Sequence, residues 1–97
     1  MKEIIIDGEK IHTRRELHSA FADSLSFPEW YGANLDALHD CLGDIREAVL
    51  IRFVHFDALN DTLPLYAQMT VRAVRHACRE NPCLCCTVEG QMEDDEE

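Results

Sequence analysis

Three short apolar segments separated by helical patterns constrain this 97-residue chain more than any other feature. The central segment, residues 48–56 (AVLIRFVHF), is almost continuously apolar and short, so it predicts a strand that is buried on both faces. Residues 2–6 (KEIII) and 83–88 (CLCCTV) predict two further strands, because apolar and β-branched side chains dominate them and turn residues bound them.

Two helix signals lie between the first and second predicted strands. Thr13 and Glu16 fit a capping box, which predicts a first helix of about 12 residues. Asn34 is a good N-cap for a second helix over residues 34–43, and Gly43 is a plausible stop for it.

The region between the second and third strands is less regular. Residues 57–63 are ambiguous, with a short helix as one option, whereas Pro64 favours the start of a helix that ends near Glu80. Strands separated by helices need crossover connections, which favour a parallel sheet. We therefore predict an α/β fold, a three-stranded parallel sheet packed by three to four helices, in one domain over residues 1–90.

Negative charge is concentrated in two places. The formal net charge is −10, and residues 93–97 (EDDEE) lie in a polar tail over residues 91–97 that we expect to be disordered. In the expected domain, residues 29–47 carry five acidic side chains against Arg46 alone. An acidic surface repels phosphate backbones, so we expect no direct binding of nucleic acid and instead attraction of a basic partner.

The sequence also bears on location. No segment is long and apolar enough to span a bilayer, and the first residues, MKEIIIDGEK, show no signal peptide. The five cysteines are an odd number and are expected to be free thiols in a reducing compartment. We therefore expect a cytoplasmic protein with no membrane partner.

The second predicted helix separates into two faces on a helical wheel. One face is apolar and is expected to point to the core; it comprises Leu35, Leu38, Cys41, Leu42 and Ile45. The opposite face, called the acidic face below, comprises Asp36, His39, Asp40, Gly43 and Asp44.

The acidic face costs stability. Asp36, Asp40 and Asp44 repel one another at i,i+4 spacing, and the last two also oppose the helix dipole. A solvated helix surface is the simpler interpretation. A binding site is favoured because the charges share one face, lie at the unfavourable helix end and follow the aromatic loop Trp30-Tyr31-Gly32.

The segment over residues 27–42, FPEWYGANLDALHDCL, resembles the signature of the barstar family, the intracellular inhibitors of barnase-type ribonucleases. The resemblance extends over residues 2–88, and a YGxNLDAL run followed by DCL is a specific signal. It implies a barstar-like fold and an inhibitor of the antitoxin or immunity type. The implied partner is a basic ribonuclease, extracellular-type or toxin, and the free chain is expected to be a monomer.

By this resemblance, the second helix and the preceding loop would plug the basic active site of the ribonuclease. Asp40 would act as a phosphate mimic, Asp36 would pair with a second basic group, and Trp30 would stack on the catalytic histidine. The other implied contacts are Tyr31, Gly32, Asn34, His39, Gly43 and Asp44, together with His76 and Glu80 on the last helix.

Some positions depart from the family pattern. His39 stands at a tryptophan position, Ile45 lies near a second one, and His76 stands at a glutamate position, although Glu80 is kept. These departures suggest a related ribonuclease with a different rim. The alternative is a barstar-fold interaction module whose partner is not a ribonuclease.

Enzyme and metal-site interpretations are weaker. Five possible zinc ligands lie close in sequence: His76, Cys78, Cys83, Cys85 and Cys86. Their CxCC spacing on a strand splits the thiols over two faces, so small buried cysteines are the better interpretation. Asp36 and Asp40 share one convex helix rather than flank a cleft, which disfavours a glycosidase pair. We expect no enzyme activity, no cofactor and no metal ion.

Overall fold

The computed structural model describes residues 1–90, and the acidic tail predicted over residues 91–97 lies outside the described residues. The prediction of a three-stranded parallel sheet with three to four helices is confirmed, with four helices present. No helix within residues 1–90 is long and apolar enough to cross a membrane. The elements in chain order are β1 (Lys2–Asp7), α1 (Arg14–Leu25), α2 (Leu35–Gly43), β2 (Val49–Val54), α3 (Phe56–Thr62), α4 (Tyr66–Glu80) and β3 (Leu84–Val88).

The strands lie in the order β1-β2-β3, and both pairs are parallel. In the register, Ile51 of β2 is flanked by Ile4 of β1 and Cys86 of β3. Both crossovers step in the same direction across the sheet. Because such connections are right-handed, helices from both fall on the same face of the sheet.

The prediction that β2 is buried on both faces was wrong. Val49, Ile51 and Phe53 are fully buried against the helices, whereas the alternate residues Leu50, Arg52 and Val54 are only partly buried. The physical reason is the strand order, because it places the helices of residues 1–90 on the other face of the sheet. The strand is also shorter than predicted, because His55 turns the chain in a left-handed conformation (φ 52°) and α3 begins at Phe56.

Arg52 lies on the open face of the sheet and links its three strands. Its guanidinium donates to Glu3 on β1 at 2.7 Å and to Glu89, directly after β3, at 2.7 and 3.0 Å. These hydrogen bonds raise the pKa of Arg52. A charged residue in an otherwise apolar strand is thereby paired with two carboxylates.

The helix boundaries agree with the predicted ones except at the start of α4. The hydroxyl of Thr13 accepts the Glu16 N–H at 3.0 Å, and the Glu16 carboxylate accepts the His12 N–H at 2.7 Å. Helix α4 ends at Glu80 as predicted, but it begins at Tyr66 rather than at Pro64. Leu65 separates the two because it adopts a positive φ of 69°, which no helical residue does.

Candidate functional site

The amino end of α2 is held by the loop that precedes it. The side-chain oxygen of Asn34 accepts the Ala37 N–H at 2.8 Å, so Asn34 is the N-cap that the sequence predicts. Its amide nitrogen donates to the Gly32 carbonyl at 3.3 Å. A Cβ on Gly32 would lie 3.1 Å from that amide nitrogen, so Gly32 allows a close approach to the cap.

The carboxyl end of α2 is held by Asn81, which lies just after α4. The buried amide of Asn81 donates to the carbonyls of Leu42 and Ile45, each at 3.0 Å, and accepts the Cys83 N–H at 3.0 Å. The Leu42 carbonyl lies in the last turn of α2 and the Ile45 carbonyl just beyond it, where the regular hydrogen bonds of the helix end. The Asn81 amide donates to both carbonyls and so fixes the end of the helix. The sequence analysis did not assign Asn81 to the site. The available signal was an amide side chain between the predicted end of the last helix and Pro82.

The acidic face of α2 points to solvent as predicted at four of its five positions, whereas His39 is half-buried against α4. Asp36, Asp40, Gly43 and Asp44 are exposed, whereas Leu38, Cys41 and Leu42 on the opposite face are buried. Within residues 1–90, no lysine or arginine lies within ion-pair distance of the three aspartates. Their field is felt locally, since the pKa of Cys41 is raised by burial and then by Asp44 and Asp40.

The two aromatic residues of the preceding loop point in opposite directions. The side chain of Trp30 is exposed, with 77% of its surface accessible. Tyr31 turns inward, where its ring packs 4.9 Å from that of Phe27 and its hydroxyl contacts His18 on α1. Trp30 is therefore available to a partner, whereas Tyr31 mainly holds the loop on the core.

His18 is the buried anchor of this loop. Nδ1 of His18 lies 2.5 Å from the Tyr31 hydroxyl, and Nε2 lies 2.6 Å from the Tyr66 hydroxyl on α4. A neutral imidazole has one donor and one acceptor nitrogen. Because a hydroxyl can donate or accept a hydrogen bond, the two tyrosines satisfy both nitrogens of His18. Burial lowers the pKa of His18 and raises the pKa of both tyrosines.

Helix α4 extends the site beside the acidic face. The rings of His39 on α2 and His76 on α4 stack with centroids 5.0 Å apart. The Glu80 carboxylate lies 3.1 Å from Nε2 of His39 and 3.4 Å from Nε2 of His76. The structure thus brings His39 on α2 into contact with His76 and Glu80, which lie one turn apart on α4.

A shallow groove runs between α2 and α4. Its walls include Leu35 and Asp36 from α2, and Met69, Arg72 and Ala73 from α4. The three α4 residues were not predicted as part of the site. The sequence did contain a signal for them, because Met69, Arg72, Ala73 and His76 are spaced three or four residues apart. This spacing places them along the same side of α4.

These features define a small α/β protein with a convex acidic helix face, flanked by an exposed tryptophan and suited to a basic partner. The chain belongs to the Barstar family, described as "Barstar (barnase inhibitor)", whose model matches residues 1–91. Members of this family are inhibitors, so the expectation that the chain is not an enzyme is confirmed.

A curated relative supports the same family. The chain is 37% identical over 81 residues to a protein of Bacillus subtilis (strain 168) named "Putative ribonuclease inhibitor YrdF". The similarity covers 82% of this chain and 89% of the relative. Similarity over nearly the full length of both proteins makes the comparison one between whole domains.

Proposed function

We propose that this chain inhibits a basic, barnase-type ribonuclease by covering its active site with α2 and the loop before it. The observation that carries this proposal is the row of exposed aspartates Asp36, Asp40 and Asp44, for which residues 1–90 provide no lysine or arginine partner. Membership of the Barstar family supports the class of partner.

The charge of the acidic face fits the chemistry of a ribonuclease cleft. A carboxylate that loses its water on binding is destabilised unless the partner supplies cations and hydrogen-bond donors. A cleft that binds RNA phosphates supplies both. We therefore assign Asp40, in the middle of the row, as the phosphate mimic and Asp36 as the partner of a second basic group.

Trp30 is assigned to contact the partner directly, by stacking on the catalytic histidine. Its side chain is already exposed in the free chain, so docking buries a large apolar surface without unfolding the loop. Tyr31 belongs to the proposed site mainly as a support for Trp30, because its hydroxyl is committed to His18.

The remaining proposed contacts form a rim around these three residues. They are Gly32 and Asn34 at the start of α2, Gly43 and Asp44 at its end, and His39, His76 and Glu80 along the groove. The two histidines replace an aromatic and an acidic residue of the family pattern. They favour a ribonuclease whose rim differs from that of barnase.

The biological setting is part of the proposal. An inhibitor with this face protects the cell that makes the ribonuclease, or a neighbour exposed to it as a toxin, which is an antitoxin or immunity role. We propose that it acts in the cytoplasm and is a monomer when free, because self-association through α2 would cover the working surface.

The test is a titration of the full chain into a ribonuclease while RNA cleavage is followed. The ribonuclease encoded beside the gene is the first choice, and barnase is the second. Loss of cleavage at one equivalent supports the proposal. Unchanged cleavage by both enzymes at molar excess contradicts it and favours an interaction module with another partner.

A further inference from the structure

His39, His76 and Glu80 bring three metal-binding groups together across α2 and α4. Their candidate ligand atoms all lie within 4.8 Å of one another. The two contacts from Glu80 oxygens to the histidine Nε2 atoms are 3.1 and 3.4 Å. Ligands held at about 2.0–2.1 Å from a tetrahedral Zn²⁺ lie about 3.3–3.5 Å apart, so these separations need little change.

The Nε2 atom of His39 is a second and independent sign of a ligand. It is buried and makes no hydrogen bond within residues 1–90, because the nearby Glu80 oxygen is close but poorly aligned. Buried polar atoms are normally partnered. On the other side of the ring, Nδ1 lies 3.9 Å from the Asp40 carboxylate. In the tautomer with the ring proton on Nδ1, the Nε2 lone pair is available to a metal.

We propose that His39, His76 and Glu80 bind a divalent transition-metal ion, for which Zn²⁺ is the probe, with a fourth position open to water. Two imidazoles and one carboxylate are a donor set that zinc accepts in proteins. The rings are inclined by only 24°, so one must rotate for both lone pairs to converge. The side chain of His76 is 53% exposed and has room to do so.

Other groups of potential ligands are weaker. Asp7, Glu9 and His55 also lie within 4.8 Å, but this group has one imidazole and the Asp7 carboxylate already accepts the Glu9 N–H. Burial raises the pKa of Cys86 to about 12 and raises that of Cys78, which disfavours the thiolate that a metal ligand requires. His55 and the exposed Cys85 are therefore the residues to control for.

The test is calorimetric titration of Zn²⁺ into the full chain, kept reduced with a phosphine. We expect one equivalent to bind, and His76→Gln to weaken the affinity at least about 10-fold. The matched variants His55→Gln and Cys85→Ser are expected to bind as the wild type does. All three substituted side chains are exposed, so the fold should be retained.

Ring-nitrogen NMR spectra supply a second measurement on the wild type, in which zinc should shift the resonances of His39 and His76 but not those of His12. Wild-type affinity in His76→Gln, or no zinc binding at about 1 mM, would overturn the assignment. A loss of zinc affinity in His55→Gln or Cys85→Ser would also overturn it. The experiment needs no ribonuclease, so its failure leaves the proposed inhibition untouched.

Discussion

The hydroxyl of Tyr31 lies 2.5 Å from Nδ1 of His18, which joins the loop before α2 to a side chain buried on α1. The second ring nitrogen of His18 contacts the hydroxyl of Tyr66 on α4. One imidazole therefore connects three separate elements. The exposed position of Trp30, next to Tyr31, depends on this buried group.

The pH dependence of stability should report on His18. Burial lowers its pKa in the folded protein, so below about pH 6.5 the unfolded chain binds a proton that the folded chain does not. The free energy of unfolding should fall as the pH falls through that value, by up to about 1.4 kcal/mol per pH unit. Above it, the His18 contribution is constant.

Urea unfolding of the wild type and of His18→Gln between pH 5 and pH 8 measures this effect. The variant should be less stable at pH 8 and should show a shallower decline toward pH 5. His12→Gln, at an exposed position, serves as the control and should decline like the wild type. Equal slopes for wild type and His18→Gln would contradict the assignment.

Removing the side chain of Asn81 should destabilise the domain. Asn81→Ala leaves the Ile45 carbonyl and the Cys83 N–H without the Asn81 side chain, and leaves the Leu42 carbonyl with backbone N–H donors alone, at a cost of about 2–4 kcal/mol. The control is Asn60→Ala, because Asn60 makes one long side-chain contact with Gln68 at 3.3 Å. It should cost below about 0.5 kcal/mol. Equal urea midpoints for the two variants would show that Asn81 does not hold α2.

The charge of Asp40 should matter for inhibition and not for folding. Asp40→Asn keeps the shape of the side chain and should weaken inhibition of the cognate ribonuclease about 100-fold or more, since it leaves buried cations of the partner unpaired. The free variant should be as stable as the wild type or slightly more so, because repulsion from Asp36 and Asp44 is relieved.

Asp61→Asn is the matched control for Asp40→Asn, because Asp61 is an exposed aspartate on α3, outside the acidic face. It should inhibit as the wild type does. Inhibition constants from steady-state RNA cleavage give the comparison. If Asp40→Asn inhibits as well as Asp61→Asn does, Asp40 is not the phosphate mimic.

Trp30→Ala should weaken inhibition about 30-fold, the effect expected for a central aromatic contact. Because most of the Trp30 side chain is exposed, the free energy of unfolding should change by less than about 0.5 kcal/mol. Leu65→Ala removes another exposed apolar side chain outside the proposed interface and should leave inhibition unchanged. Equal inhibition by both variants would place Trp30 outside the interface.

Features set by neighbouring residues could be predicted from the sequence. The caps Thr13 and Asn34, the end of α4 and the two faces of α2 follow from spacing within a few residues. The inward turn of Tyr31 and the positive φ of Leu65 could not be read from spacing. Both depend on how separate elements pack.

The prediction that β2 is buried on both faces failed for a topological reason. The apolar run over residues 48–56 fits a strand buried on one face as well as a strand buried on both faces. Only the strand order decides between the two. Had β1 been central, the two crossovers would have run in opposite directions and covered both faces. The resemblance placed His39, His76 and Glu80 at one interface, but their direct contact was not predicted, since no local pattern reports which helices are neighbours.

The contact between Asn81 and α2 also determines the stage of translation at which a functional inhibitor can form. Leu42 and Asn81 are 39 residues apart, so at 5–20 residues per second a ribosome synthesises α2 roughly 2–8 s before Asn81. Until then the nascent chain has its aspartates but lacks the residue that holds the carboxyl end of their helix. Interrupted synthesis should therefore yield fragments that do not inhibit, and protection should begin only with nearly complete chains.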